Sequence, residues 1–251
     1  MNTKQLSKRL EYIGYQSWMP KEVEQFGNWY LRFNGGVTRR ANSVLPIGPP
    51  KESNMENAIN HVVNFYKERD TPVLFQMTQY SVPNALDNTL EKQGFAKRFP
   101  VYVQTGRISD ISQRDQSIET EILGAPTDEW MKAYELGSGY KTESMMIRRS
   151  LMIRSSLPKA FGTASINDKL VAVGLGVQSD EWCGLFNIAT IPKHRRSGAG
   201  TAVSYRLLSW AQTLGASKAY LQVETENYPA LTLYQQLGFE SLYEYWYRIR
   251  E

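Results

Sequence analysis

Apolar residues recur at helical spacing at the start of the chain, where Leu6, Leu10 and Ile13 share one face and predict a short helix over 3–15. Asn28-Trp29-Tyr30-Leu31-Arg32-Phe33 reads as a strand, with Asn34-Gly35-Gly36 as a turn into Val37-Thr38-Arg39-Arg40. The stretch 45–53, with three prolines and a glycine, reads as a loop. Ser53 is expected to cap a helix running to about Arg69, with Met55, Ile59, Val62, Val63 and Tyr66 on its apolar side. Strands are predicted at 73–77 and 101–107, on either side of a helix over 84–93 that Gly94 ends. The polar, aperiodic stretch 109–117 is the expected domain boundary.

Beyond it, helices are predicted over 128–136 and 143–155, broken by Gly137-Ser138-Gly139. Strands follow at 160–166, 170–178 and 183–191, the first two joined by a hairpin turn at Asn167-Asp168. A long helix over 200–214, a strand over 218–224, a helix over 229–237 closed by Gly238, and a strand over 242–249 complete the chain. This order predicts a mixed α/β fold, with hairpins in the middle and crossovers near the end.

The length, 251 residues, allows one large domain or two ordinary ones, and 41% apolar with 22% charged residues suits soluble globular domains. The formal charge of +4 suits anionic small ligands, but the basic residues form small scattered clusters rather than a nucleic-acid-binding stripe. The single cysteine, Cys183, permits no intrachain disulfide. The polar N-terminus has no signal-peptide core, and the apolar run 170–177 is too short to span a bilayer. A cytoplasmic protein without a membrane partner is therefore expected. His61 and His194 lie far apart without cysteines at ligand spacing, so no metal site is expected.

The candidate chemistry follows the strand that ends before Pro192. The loop Lys193-His194-Arg195-Arg196-Ser197-Gly198-Ala199-Gly200 opens an amphipathic helix that carries Val203, Leu207, Leu208, Ala211 and Leu214 inward. A helix N-terminus leaves amides unpaired and is electrically positive. Glycines let a phosphate approach those amides, and arginines add forked donors. The spacing is neither that of Walker A nor that of G-x-G-x-x-G. A tight strand-to-helix turn that needs glycine for geometry alone is the plain alternative.

Arg195-x-x-Gly198-x-Gly200, between a proline-ended strand and a long helix, resembles the Arg/Gln-x-x-Gly-x-Gly/Ala loop of the GNAT acetyltransferases. Asn227-x-x-Ala230-x-x-Leu233-Tyr234-x-x-x-Gly238-Phe239 resembles the second signature of that superfamily. The resemblance covers about 118–251 and implies a GNAT fold, acetyl-CoA as donor, and acetyl transfer to a primary amine on a small molecule or peptide. It implies that the amides from Arg196 to Thr201, with Arg195, cradle the CoA pyrophosphate, and that backbone groups of Ile188 and Thr190 pair with pantetheine. Asn227 would bond near the thiol end, or serve as a helix cap, and Tyr234 would act as the general acid on the leaving sulfur. Many members of the superfamily carry a glutamate base on the strand before the loop. Asn187 stands there instead, which leaves the base open among Glu143, Glu181, Glu224 and Glu226. Cys183 as an acetyl carrier is the weaker idea, since a lone cysteine on a strand is more often core.

Leu86-x-x-x-Leu90-x-x-x-Gly94-Phe95 echoes the second signature, with Leu90 in the place of Tyr234. The tandem expectation is a degenerate GNAT-like domain over 1–112 without a CoA loop and a catalytic domain over 118–251. The segment 29–44 also resembles the opening strands of some tandem-GNAT bacterial proteins and could contribute to an acceptor or CoA site. Two other functions stay in view: a sensor that binds acetyl-CoA without turnover, and a nucleic-acid binder using Arg39, Arg40, Arg148, Arg149 and Arg154. The resemblance puts Arg148 and Arg149 on the helix that usually lines the acceptor side, so acidic acceptors account for them equally. A homodimer is left open.

Overall fold

The computed structural model describes residues 2–111 and 118–250, so residues 112–117 of the expected boundary lie outside the described residues. Two compact units emerge, Met1–Tyr102 with Leu242–Glu251, and Val103–Ser241.

The first unit starts with α1 (Thr3–Ser17), opened by a capping box in which Asn2 and Gln5 satisfy one another's amides. The half-exposed strand β1 (Glu22–Phe26) was not expected, because its polar Glu-x-Glu-Gln run hides the alternation. It pairs antiparallel with β2 (Trp29–Phe33), Phe26 opposite Trp29. The hairpin therefore turns at Gly27-Asn28, not at Asn34-Gly35-Gly36. Residues 37–40 form no strand. The Asn42 side chain accepts from the amides of Asn34 and Gly36 and donates to the carbonyls of Val37 and Thr38, which winds this segment into a local loop. Within the expected loop, Val44–Pro46 forms β3, which joins β4 (Val73–Thr78) through the single pair Val44–Phe75. Helix α2 (Met55–Lys67) is capped by Asn54 rather than Ser53. After α3 (Leu86–Lys92), the strand β5 (Ala96–Arg107) begins five residues earlier than expected. The last strand, β11 (Glu240–Arg250), lies antiparallel on β4, so the order here is β1-β2-β3-β4-β11. Trp29, Phe75, Tyr66, Leu86, Leu90 and Phe95 form the core, each large side chain contributing about 1.5–3 kcal/mol on burial.

The second unit has strand order β5-β10-β9-β8-β7-β6. Its edge strand β6 (Glu119–Leu123) was also unexpected, with two acidic residues in five. Helix α4 (Asp128–Ser138) is capped by Thr127 and closed by Gly139 in the left-handed region, so Gly137 and Ser138 remain helical. A 3-10 turn (Thr142–Ser144) leads into α5 (Met145–Arg154). The strands β7 (Lys159–Ile166), β8 (Lys169–Ser179) and β9 (Trp182–Thr190) form an antiparallel meander. Helix α6 (Ala199–Thr213) lies tightly on it: a Cβ at Gly162 or Gly174 would stand 2.9 Å from Val203 or 3.0 Å from Leu207. Strand β10 (Lys218–Glu224) runs parallel to β9, and α7 (Tyr228–Gln236) follows. The result is the mixed α/β sheet that the order of elements predicts.

Candidate active site

The parallel strands β9 and β10 pair only from Trp182–Lys218 to Leu185–Leu221, and beyond that both continue without pairing to each other. The cause lies in β9. Asn187 has φ 54, and the register with β8 shifts between Val173 and Leu175, so Asn187 and Ile188 bulge out opposite Gly174. A Cβ at Gly174 would sit 2.4 Å from the end of the Ile188 side chain, which would have to move. The diverging strands open on a cleft of about 690 Å³, within the range of ligand sites.

The loop after β9 forms one wall. Arg196 and Gly198 take positive φ, 66 and 87, which turns the chain into α6 with Gly198 to Thr201 on the cleft wall. Among the described residues, the amides from Arg196 to Thr201 have no acceptor within the protein. The helix has no side-chain cap and no acidic residue in its first turn, so its positive end is unanswered. Gly200 lies close to α7, where a Cβ would stand 2.9 Å from the end of the Leu233 side chain. Ile188, Thr190, Arg195, Arg196, Gly198, Ala199, Gly200, Thr201, Asn227 and Tyr234 all line this cleft. Ser197 does not, and its hydroxyl donates to the His194 carbonyl at 2.8 Å. The Arg195 guanidinium donates to the Gly137 carbonyl at 3.3 Å, which ties the loop to α4.

Tyr234 is 8% exposed, with its ring edge-on to Phe239. Its hydroxyl makes no hydrogen bond among the described residues, and burial pushes its pKa well up, so the phenol stays protonated at neutral pH. Asn227 caps α7 by accepting from the Ala230 amide at 3.3 Å while it lines the cleft, so both expected roles are compatible.

A protein-family model described as probable histone acetyltransferase Rv0428c C-terminal matches residues 7–248. The chain belongs to this family. The uncharacterized N-acetyltransferase YobR of Bacillus subtilis (strain 168) is 30% identical over 246 residues, spanning 97% of this chain and 98% of its own. A GCN5-related N-acetyltransferase from Kribbella flavida superposes with a TM-score of 0.71 at 14% identity, covering 97% of this chain and 95% of that one. A tandem GNAT protein from the clavulanic acid biosynthesis pathway superposes with a TM-score of 0.62 at 11% identity, covering 78% and 69%. The chain is thus an acyltransferase, an N-acetyltransferase of the GNAT superfamily.

The carboxylates considered as base do not reach this cleft. Glu143, Glu181, Glu224 and Glu226 are absent from its lining, and Glu181 pairs with Lys218 at 3.6 Å. In place of a carboxylate, Asn187 accepts a hydrogen bond from the Tyr134 hydroxyl at 3.2 Å. Cys183 is buried and its thiol is pushed up to about 12 by desolvation, which removes the thiolate an acetyl carrier needs. His61 pairs with Glu24 and stacks on Phe26, whereas His194 lines the cleft. The arginines proposed for nucleic acid are engaged one by one: Arg39 over Phe99, Arg40 over Trp18, Arg148 over Tyr140, Arg149 with Asp128, and Arg154 with Ser150. Gly137 and Ala189 line the cleft without having been expected there. Small or apolar residues carry no chemical signal, and only the folded chain brings them to the wall. Among the described residues, no helix is long and apolar enough to cross a membrane.

Proposed function

We propose that the cleft binds acetyl-CoA and that its acetyl group passes to a primary amine by direct attack in a ternary complex. The observation that carries this reading is the set of unpartnered amides from Arg196 to Thr201, in a loop of which Arg196 and Gly198 to Thr201 line the cleft. Each charge-assisted hydrogen bond from them to a diphosphate is worth about 1.5–3 kcal/mol. Pantetheine would lie along β9, pairing with Ile188 and Thr190, and the thioester would enter the gap between β9 and β10. The amine nitrogen attacks the thioester carbon, the C–S bond breaks, the sulfur leaves with the electron pair, and the nitrogen loses one proton. Tyr234 acts on that sulfur. Its raised pKa stands above the ~8.5 of an ordinary thiol, so it stabilises the thiolate as a hydrogen-bond donor that keeps its proton. With no carboxylate on the cleft wall, the amine arrives neutral, and the proton it loses on attack goes to water or to the departing thiolate.

The first unit is, in this reading, a worn GNAT-like half that has lost both the phosphate cradle and the tyrosine. The test is calorimetry with acetyl-CoA, paired with thiol release against a panel of amines. Wild type is expected to bind and to release thiol, and Gly198→Trp to lose affinity at least about 100-fold, because the side chain occupies phosphate space. Unchanged affinity in that variant overturns the loop's role. Binding without thiol release from any amine would make the cleft a sensor of acetyl-CoA.

A further inference from the structure

Arg148 differs from the other arginines of α5. It is 9% exposed, and its guanidinium carbon lies 3.4 Å from the centroid of the Tyr140 ring. Its Nε donates to the Ser144 hydroxyl at 3.1 Å. The two terminal nitrogens have no partner among the described residues, and neither is sealed from solvent. Arg149, by contrast, is paired with Asp128 at 2.7 Å, and Arg154 is bonded to Ser150 at 2.8 Å. The Arg148 guanidinium is thus held flat on Tyr140 with two donors turned to solvent and no carboxylate of the described residues on them.

A second observation fixes its place. The Ser144 hydroxyl, which donates to the Lys141 carbonyl, accepts from the Arg148 Nε, so the guanidinium is held at the junction of the 3-10 turn and α5. A series of contacts leads from this spot toward the cleft. Tyr140 packs on Tyr134 at 6.1 Å between ring centroids, Tyr134 bonds to Asn187 in the β9 bulge, and Gly137, between the two tyrosines in sequence, lines the cleft.

We propose that Arg148 is the anchor for a carboxylate carried by the amine acceptor, so that the enzyme prefers amines bearing a carboxylate; this rests on the acetyl-CoA reading of the cleft. Stacked flat on Tyr140, the guanidinium leaves its edge free, and that edge matches the planar fork of a carboxylate.

The test compares twins in the thiol-release assay: glycine with glycinamide, β-alanine with β-alaninamide and with 2-aminoethylphosphonate, and a short lysine peptide with a free against an amidated C-terminus. At least one carboxylate twin is expected to exceed its amide at least tenfold in kcat/KM. Arg148→Gln is expected to bring that ratio near one, chiefly by raising KM, with Arg148→Lys retaining part of it and acetyl-CoA affinity unchanged within twofold in both. Equal rates for every pair, a preference that survives Arg148→Gln, a stronger preference for the phosphonate, or no turnover of any carboxylate-bearing amine while acetyl-CoA binds would each overturn the proposal. Failure of the wild type to bind acetyl-CoA would instead sink the reading of the cleft.

Discussion

Helices α3 and α7 end by the same device. After α3, the Phe95 amide donates to the Leu90 carbonyl at 3.0 Å and the Gly94 amide to Glu91 at 3.0 Å, with Gly94 at φ 83. After α7, the Phe239 amide donates to Tyr234 at 2.9 Å and the Gly238 amide to Gln235 at 3.0 Å, with Gly238 at φ 85. The residue that accepts the long bond is a sealed leucine in one unit and a cleft-lining tyrosine in the other. The helices before them diverge at the start. The approach to α2 folds onto its own unit: the Asn28 amide donates to Pro49, and a Cβ at Gly27 would strike the Lys51 backbone at 2.4 Å. There Glu52 accepts from the Asn54 amide, Asn54 accepts from Asn57, and Glu56 occupies the first turn. The positive end of α2 is thus answered from within, whereas that of α6 is left open. A helix start becomes an anion site when the chain withholds its own cap.

Giving α6 the kind of cap that α2 has is expected to have the largest effect. Gly198→Asp is expected to weaken CoA binding at least about 100-fold, because its carboxylate takes the amides and repels phosphate; calorimetry showing unchanged affinity would separate the open amides from cofactor binding. Leu90→Ala is expected to lower stability by about 3 kcal/mol in urea unfolding, as a core truncation, with CoA affinity unaffected in the folded protein. Tyr234→Phe is expected to lower kcat about tenfold and leave CoA affinity nearly unchanged, which steady-state kinetics with calorimetry will show. Asn54→Ala is expected to cost about 1 kcal/mol of stability and to create no affinity for CoA.

The smallest effect concerns pH. Glu11 is buried in the first unit, and desolvation raises its pKa, although the Tyr243 hydroxyl and Arg32 pull against this. A carboxyl whose folded pKa is raised binds its proton more tightly in the folded state. Stability is therefore fullest below the ordinary carboxylate value and declines as pH rises through the raised one. Urea midpoints measured across that window should fall with pH in wild type and fall less in Glu11→Gln.

Long, strongly periodic segments were legible residue by residue. The helices over 128–136 and 200–214 and the strands over 160–191 appear within a few residues of expectation, because their apolar repeat matches the face they bury. The edge strands β1 and β6 were not legible. Each buries little, so acidic residues interrupt the alternation that marks a strand. Among candidate site residues, the glycine and arginine spacing pointed to the loop, yet Ser197 turns away from the cleft into a local bond with His194. Gly137 had no site signal because its role is shape, and Leu233 was legible only as a member of the second signature.

The sequence alone determined that a glycine-bearing basic loop opens a long amphipathic helix, and that a second motif with an asparagine and a tyrosine follows it. These are local facts, set by spacing and by which residues tolerate positive φ. Tertiary structure alone decided that the helix-opening amides lack partners, that the β9 bulge parts two parallel strands, and that β11 returns to the first unit beside β4. Those outcomes depend on which groups find acceptors and which strand edges are vacant, and both are settled by contacts between residues far apart in the chain.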